Sequence, residues 1–159
     1  MASEMAGHHK RSYLLLPGAV VLIGAAVFLA LQGNRLLADG DTGYHIRLGE
    51  VILHEKRIPE TDLFSHVRPG INQAYQEWLA QVVMAGFHEA AGLRGVVFFY
   101  GGLILGLFSL LWTCLKKYAG AWTVIFLLLA GIAISEFHWL ARPHIITMFF
   151  SMVSFWLFD

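Results

Sequence analysis

Two stretches, residues 13–31 and 96–115, run for close to twenty residues each without one charged side chain, and they constrain this chain more than any other feature. A bilayer core about 30 Å thick is crossed by roughly 20 residues of helix, whose backbone groups must all bond within the segment. A chain of 159 residues has room for one domain core, too small to hide such runs from water. Composition agrees: 14% of the residues are charged, against about 25% in soluble domains, and 57% are apolar. Two further apolar runs, 122–134 and 145–158, follow, the last of them short for a crossing. The expected fold is an all-α integral membrane protein with about four transmembrane helices.

Basic residues orient these spans, because short loops rich in Lys and Arg stay in the cytoplasm. Lys10 and Arg11 precede the first run, and Lys116 and Lys117 end the second, so both pairs lie on one side. The first run exceeds a signal-peptide core and lacks a small-residue cleavage pattern, which makes it an uncleaved signal-anchor. The reading is therefore a cytoplasmic tail (1–12) and a single membrane domain (13–159), with a long outer loop (32–95), a short outer loop (135–144) and Asp159 back in the cytoplasm. Formal charge is zero and no basic stripe is present, so nucleic acid is not an expected partner; the lipid bilayer is. Cys114 sits alone inside an apolar run, which excludes a disulfide framework.

The long outer loop has its own periodicity. Asp41 can cap a helix from Thr42 to about Lys56, with Tyr44, Leu48, Val51 and Ile52 in one stripe and Arg47, Glu50 and His54 on another face. Residues 58–70 hold Pro59 and Pro69 and read as irregular loop. A second helix is expected from Tyr75 to Ala91, with Leu79, Val82 and Gly86 repeating on one face, Glu77, Gln81 and His88 on the other, and Gly92 as its end. Two such amphipathic juxtamembrane helices would lie on the outer surface and roof the spans. Gly101, Gly102 and Gly106 are spaced for close packing between spans.

Four motifs occur in order: Asp39-Gly40-Asp41-Thr42-Gly43-Tyr44-His45-Ile46-Arg47-Leu48-Gly49-Glu50, Arg57-Ile58-Pro59-Glu60-Thr61-Asp62, Gln76-Glu77-Trp78-Leu79 and Ala141-Arg142-Pro143-His144. Together with the span and surface-helix order, they resemble the N-terminal module of the GT-C superfamily of membrane glycosyltransferases, and in particular large, mostly uncharacterised bacterial members. The resemblance covers Asp39 to about Phe158. It implies a multi-pass protein of the bacterial inner membrane, cytoplasmic N-terminus, that moves a sugar from a polyprenyl-phosphate donor on the non-cytoplasmic side. Members of that superfamily have many more spans, so the chain looks like an N-terminal portion or a reduced relative.

In such enzymes an aspartate just beyond span one serves as general base or metal ligand, and Asp39 and Asp41 match that place. A carboxylate in a partly desolvated cavity has a raised pKa and can accept the acceptor hydroxyl's proton. Capping competes for Asp41, and a solvated loop position for Asp39. Arg142 can grip a phosphate with two parallel bonds, or anchor its helix to lipid headgroups. His45, Arg47, Glu77 and His144 are the remaining substrate-binding candidates, with Glu136 and His138 near the same loop; a solvated helix face is the plainer role for Glu77. Asp39, Asp41 and His45 could together hold magnesium or manganese. Asp39, Asp41, Glu77 and Arg142 are expected to converge on one outward-facing cavity. The competing function is a non-catalytic accessory subunit that docks on other membrane subunits; a transporter is disfavoured because no span carries a charge.

Overall fold

A computed structural model describes residues 19, 22–27, 29–31, 33–65, 70 and 72–159. The cytoplasmic tail at 1–12 and most of the first half of the span at 13–31 lie outside the described residues; Leu22–Leu31 forms an apolar helix where it is described. A helical turn, Gly33–Leu36, leads into α1 (Gly40–Glu55), α2 (Trp78–Tyr118), α3 (Ala121–Ser135), a 3₁₀ turn (Glu136–His138) and α4 (Pro143–Phe158). Among the described residues there is no strand, only an isolated bridge between Thr61 and Asn72.

The first surface helix starts earlier than its periodicity predicts. Asp39, not Asp41, is the cap: its backbone is extended (φ −99°, ψ 129°) and its carboxylate accepts from the Asp41 amide at 3.2 Å, satisfying a first-turn donor. Lys56 ends α1 in the left-handed conformation (φ 53°), its N–H bonding the Ile52 carbonyl at 2.9 Å.

The second surface helix and the second span are one element, α2, interrupted at a corner. Ala91 and Gly92 leave helical geometry, and Gly92 has φ 62° and ψ −156°, a conformation that only glycine adopts without strain. The chain turns so sharply there that a side chain on Gly95 would stand 2.3 Å from the Phe87 carbonyl oxygen, while Phe87 and Phe99 stack across the bend at 4.4 Å. The segment before the corner begins at Trp78, three residues later than expected. Tyr75 lies outside it, buried with Leu48 and Ile52 and donating its hydroxyl to the Thr61 carbonyl.

The faces of this first segment also differ from the expected stripe. Gln81, Met84 and Ala85 are buried, whereas Leu79 is 60% exposed and Gly86 is exposed. The cause is the close approach of α1: a side chain on Gly49 would reach within 2.0 Å of the Gln81 carbonyl oxygen and 2.8 Å of the Ala85 methyl. Only small or bonded groups fit that contact, so Gln81 goes inside with a partner and Leu79 does not.

Beyond the corner, Val96, Tyr100, Ile104 and Phe108 of α2 form the central row of the main core, against Val124 and Leu128 of α3 and Ile145 of α4. Gly106 admits the Phe149 ring of α4, 2.8 Å from where its side chain would begin; Gly101 and Gly102 meet nothing within 4 Å and make no such contact. Trp78–Tyr118 and Ala121–His138 are long and apolar enough to cross a membrane, with only 28% and 11% of their most apolar windows buried inside the protein. That exposure separates them from the core helices of a soluble domain. Trp122, Phe126 and Ile134 stand out from α3 and Phe155 and Phe158 from α4, surface that suits lipid. Helix α4, like Leu22–Leu31, is a shorter apolar helix.

Candidate functional site

The loop between α3 and α4 is drawn onto the start of α1. Its Ala141 N–H donates to the Leu36 carbonyl at 2.8 Å, and its Ala141 carbonyl accepts from the buried Thr42 hydroxyl at 3.4 Å. These bonds set Arg142, the residue before Pro143 at the first turn of α4, against the motif that caps α1. The guanidinium grips the Asp39 carboxylate through two bonds, Nε to Oδ2 and Nη2 to Oδ1, the latter 2.6 Å long. Nη2 also stands 2.9 Å from Asp41 Oδ2.

One cation thus faces two carboxylates. The Arg142 guanidinium holds the Asp39 carboxyl down at about 2, and the amide of Asp41 pulls the same way against burial. The expected raised pKa is therefore overturned at Asp39: desolvation acts, but a bidentate cation outweighs it. Asp39 is a helix cap and a counter-ion. Arg142 in turn is held in its charged form by Asp39. Asp41 is 61% exposed and, among the described residues, meets Arg142 through Oδ2 alone, which leaves it the less engaged of the two carboxylates.

Behind this cluster lies His45, whose side chain is 11% exposed. Its Nδ1 stands 3.2 Å from Gln81 Nε2 and 4.0 Å from Glu77 Oε2. Burial pushes the imidazole below its ordinary value, against the pull of Glu77 and Asp41, which keeps the ring neutral at pH 7. The Gln81 side-chain amide and the Nδ1 edge of His45 thus share a buried hydrogen bond.

Two cavities adjoin the His45–Glu77 contact, one lined by Glu77 and the other by His45. A cleft of about 990 Å³ has Glu77 and His144 at its polar margin, and Leu79, Val83, Phe99 and Phe150 among its apolar walls. The second, about 460 Å³, is lined by Asp41, Tyr44, His45, Asp62, Phe64, Ser65 and Gln73.

Of the four residues expected on one cavity, Arg142 joins Asp39 and Asp41, but Asp41 lines the smaller cavity with His45, Glu77 lines the cleft with His144, and neither Asp39 nor Arg142 lines either one. The His144 Nε2 lies 3.1 Å from the His138 carbonyl oxygen. Arg47 is not brought in: it is 66% exposed and pairs with Glu50 at 3.0 Å, in a chain that continues to His88. Glu136 is exposed and lines neither cavity, whereas His138 lines the cleft. Thr42 and Gln81 are the polar residues that sequence reasoning passed over. A hydroxyl inside the Asp39-to-Gly43 motif was a usable signal for Thr42, whereas nothing in the helical spacing marks Gln81 as buried.

The donors do not fit the magnesium or manganese expectation. Asp39 spends both oxygens on Arg142, and among the described residues no three His, Cys, Asp or Glu side chains are placed to hold a metal ion. Comparison of the chain with family models, curated proteins and solved structures gives no match.

Proposed function

We propose that this chain is a GT-C-like membrane glycosyltransferase unit that moves a sugar from a polyprenyl-phosphate donor on the non-cytoplasmic side of the bacterial inner membrane. The supporting observation is the apolar cleft beside the charged cluster. A polyprenyl tail needs a lipid-accessible apolar groove, and Leu79, Val83, Phe99 and Phe150 wall one. Its polar margin at Glu77, His138 and His144 meets the phosphate end, and Arg142 lies two residues from His144.

The chemistry then falls to Asp41. Its carboxylate accepts the proton of an acceptor hydroxyl as the hydroxyl oxygen bonds to the anomeric carbon; the bond from that carbon to the phosphate oxygen breaks, and the polyprenyl phosphate leaves with the electron pair. Asp39 fixes Arg142, and Arg142 fixes Asp41, so the base is held in place before substrate arrives. In this reading the phosphate's cationic neighbour is shared, because Arg142 already carries two carboxylates.

That saturation is also the observation favouring the second reading, an accessory subunit in which the Asp39–Arg142 clasp only ties helices together. Transfer of radiolabelled sugar from a polyprenyl-phosphate donor, in membranes containing the protein, separates the two. Asp41→Asn should lower transfer at least a hundredfold with unchanged membrane insertion, consistent with loss of a general base. Full transfer in Asp41→Asn removes the proposed base, and absence of transfer in the unaltered protein leaves the accessory reading.

A further inference from the structure

The smaller cavity has a chemistry unlike that of the cleft. Its aromatic walls, Tyr44 and Phe64, meet edge to face with centroids 5.6 Å apart at 75°, and both are only partly buried. Its polar wall is built rather than incidental. Asp62 Oδ1 accepts from the Phe64 amide at 2.9 Å and the Ser65 amide at 3.1 Å, which sets the turn. The Tyr75 hydroxyl on the Thr61 carbonyl and the Gln73 amide on the Glu60 carbonyl pin the same loop.

Among the described residues no Lys or Arg lines this cavity, and one of its two carboxylates, Asp41, is already compensated by Arg142. A phosphate would be repelled. An uncharged ligand with an apolar face for Tyr44 or Phe64, and hydroxyls for Asp62 and Gln73, meets every wall. At about 460 Å³ the cavity holds a small ligand, within the usual range of roughly 300–1,000 Å³. Its Asp41 edge is the carboxylate assigned above to deprotonate the acceptor.

We propose that this pocket, walled by Tyr44, Phe64, Asp62 and Gln73, binds the acceptor, and that the acceptor is a neutral saccharide. The inference rests on the glycosyltransferase reading for the word acceptor, and on the pocket alone for the word saccharide. A sugar ring laid on Tyr44 places a hydroxyl toward Asp41, while the donor enters from the cleft that Glu77 lines.

Saturation-transfer NMR on the full chain, in a detergent without a sugar headgroup, tests it with maltose, cellobiose and diacetylchitobiose as neutral probes and glucose 1-phosphate and choline as charged ones. At least one neutral disaccharide should bind and the charged probes should not. Tyr44→Ala and Asp62→Asn should each weaken binding at least tenfold; Asn keeps the turn-forming oxygen, and Tyr44→Phe, which keeps the ring, should retain most of it. Val83→Trp, which fills the cleft, should leave saccharide binding unchanged while blocking binding of polyprenyl phosphate. Failure of all three disaccharides, preference for choline, or binding that survives Tyr44→Ala overturns the inference. Saccharide binding without any sugar transfer would instead sink the enzyme reading and leave a saccharide pocket standing.

Discussion

Asp39 and Arg142 stand 103 positions apart in the chain, yet two hydrogen bonds join the carboxylate to the guanidinium at the point where the α3–α4 loop meets the start of α1. The pair closes that stretch of 103 positions, both of its ends lying among the described residues. Arg142 grips the residue that caps α1 with two bonds and reaches Asp41 through Oδ2 alone, so the two carboxylates are unequally engaged.

Asp39→Asn separates these jobs. Asn still caps a helix, so what is lost is the charged pair, and the variant should unfold at a lower temperature than the unaltered protein, by a margin that water around the 38%-exposed Arg142 keeps small. The Asp39 carboxyl is held at about 2, below its ordinary 3.8. Its contribution is therefore complete above pH 4 and is lost as pH falls toward 2. Thermal unfolding across that window should show an acid-dependent loss in the unaltered protein that is smaller in the variant.

Gly49 tests the packing of the two surface helices. A side chain there would strike the Gln81 backbone, which cannot swing away, whereas Gly43 on the same helix has nothing within 4 Å. Gly49→Ala should destabilise by about 1–3 kcal/mol through overpacking, and Gly43→Ala should be neutral or slightly stabilising through helix propensity. Equal unfolding temperatures for the two variants would mean that α1 does not sit this close to α2.

The contrast between these glycines marks what sequence can reveal. The helices at Gly40–Glu55 and Pro143–Phe158 were legible because an apolar period and an uncharged apolar run are local signals, although the cap of the first proved to be Asp39 and not Asp41. The corner at Gly92 was legible for the same reason. The Asp39–Arg142 contact was legible only as a shared neighbourhood, since no spacing rule says which of two aspartates a distant arginine will take. Leu79 and Gln81 were read inside out because the periodic argument assumes that water covers the polar face. Here the exposed face belongs to an apolar cleft, and the buried polar group has found His45.

His45 makes a separate pH prediction. Burial lowers its pKa below 6.5, so between that value and the lower folded one the unfolded chain binds more protons than the folded one. Stability from this residue is complete above about pH 6.5 and falls as pH drops through the folded pKa. His45→Gln should flatten that slope in thermal unfolding between pH 7 and 5. A fall of the same size in His45→Gln would assign the effect elsewhere.

Orientation in the membrane gives the last prediction. Helices α2 and α4 end together, where Lys117 and Tyr118 bond the Asp159 carboxylate, and the Asp39–Arg142 cluster lies at the opposite end of α4. Lys116 and Lys117 are the basic pair that should stay cytoplasmic, which sends Asp41, Glu77 and both cavities outward. In a Cys114→Ala background, Glu60→Cys should react with an impermeant maleimide on intact cells, and Lys117→Cys should react only after permeabilisation. Both sites are exposed, so accessibility within the protein does not limit either reaction. Labelling of position 117 but not 60 on intact cells would place the cluster in the cytoplasm, where a sugar acceptor outside the cell could not reach Asp41.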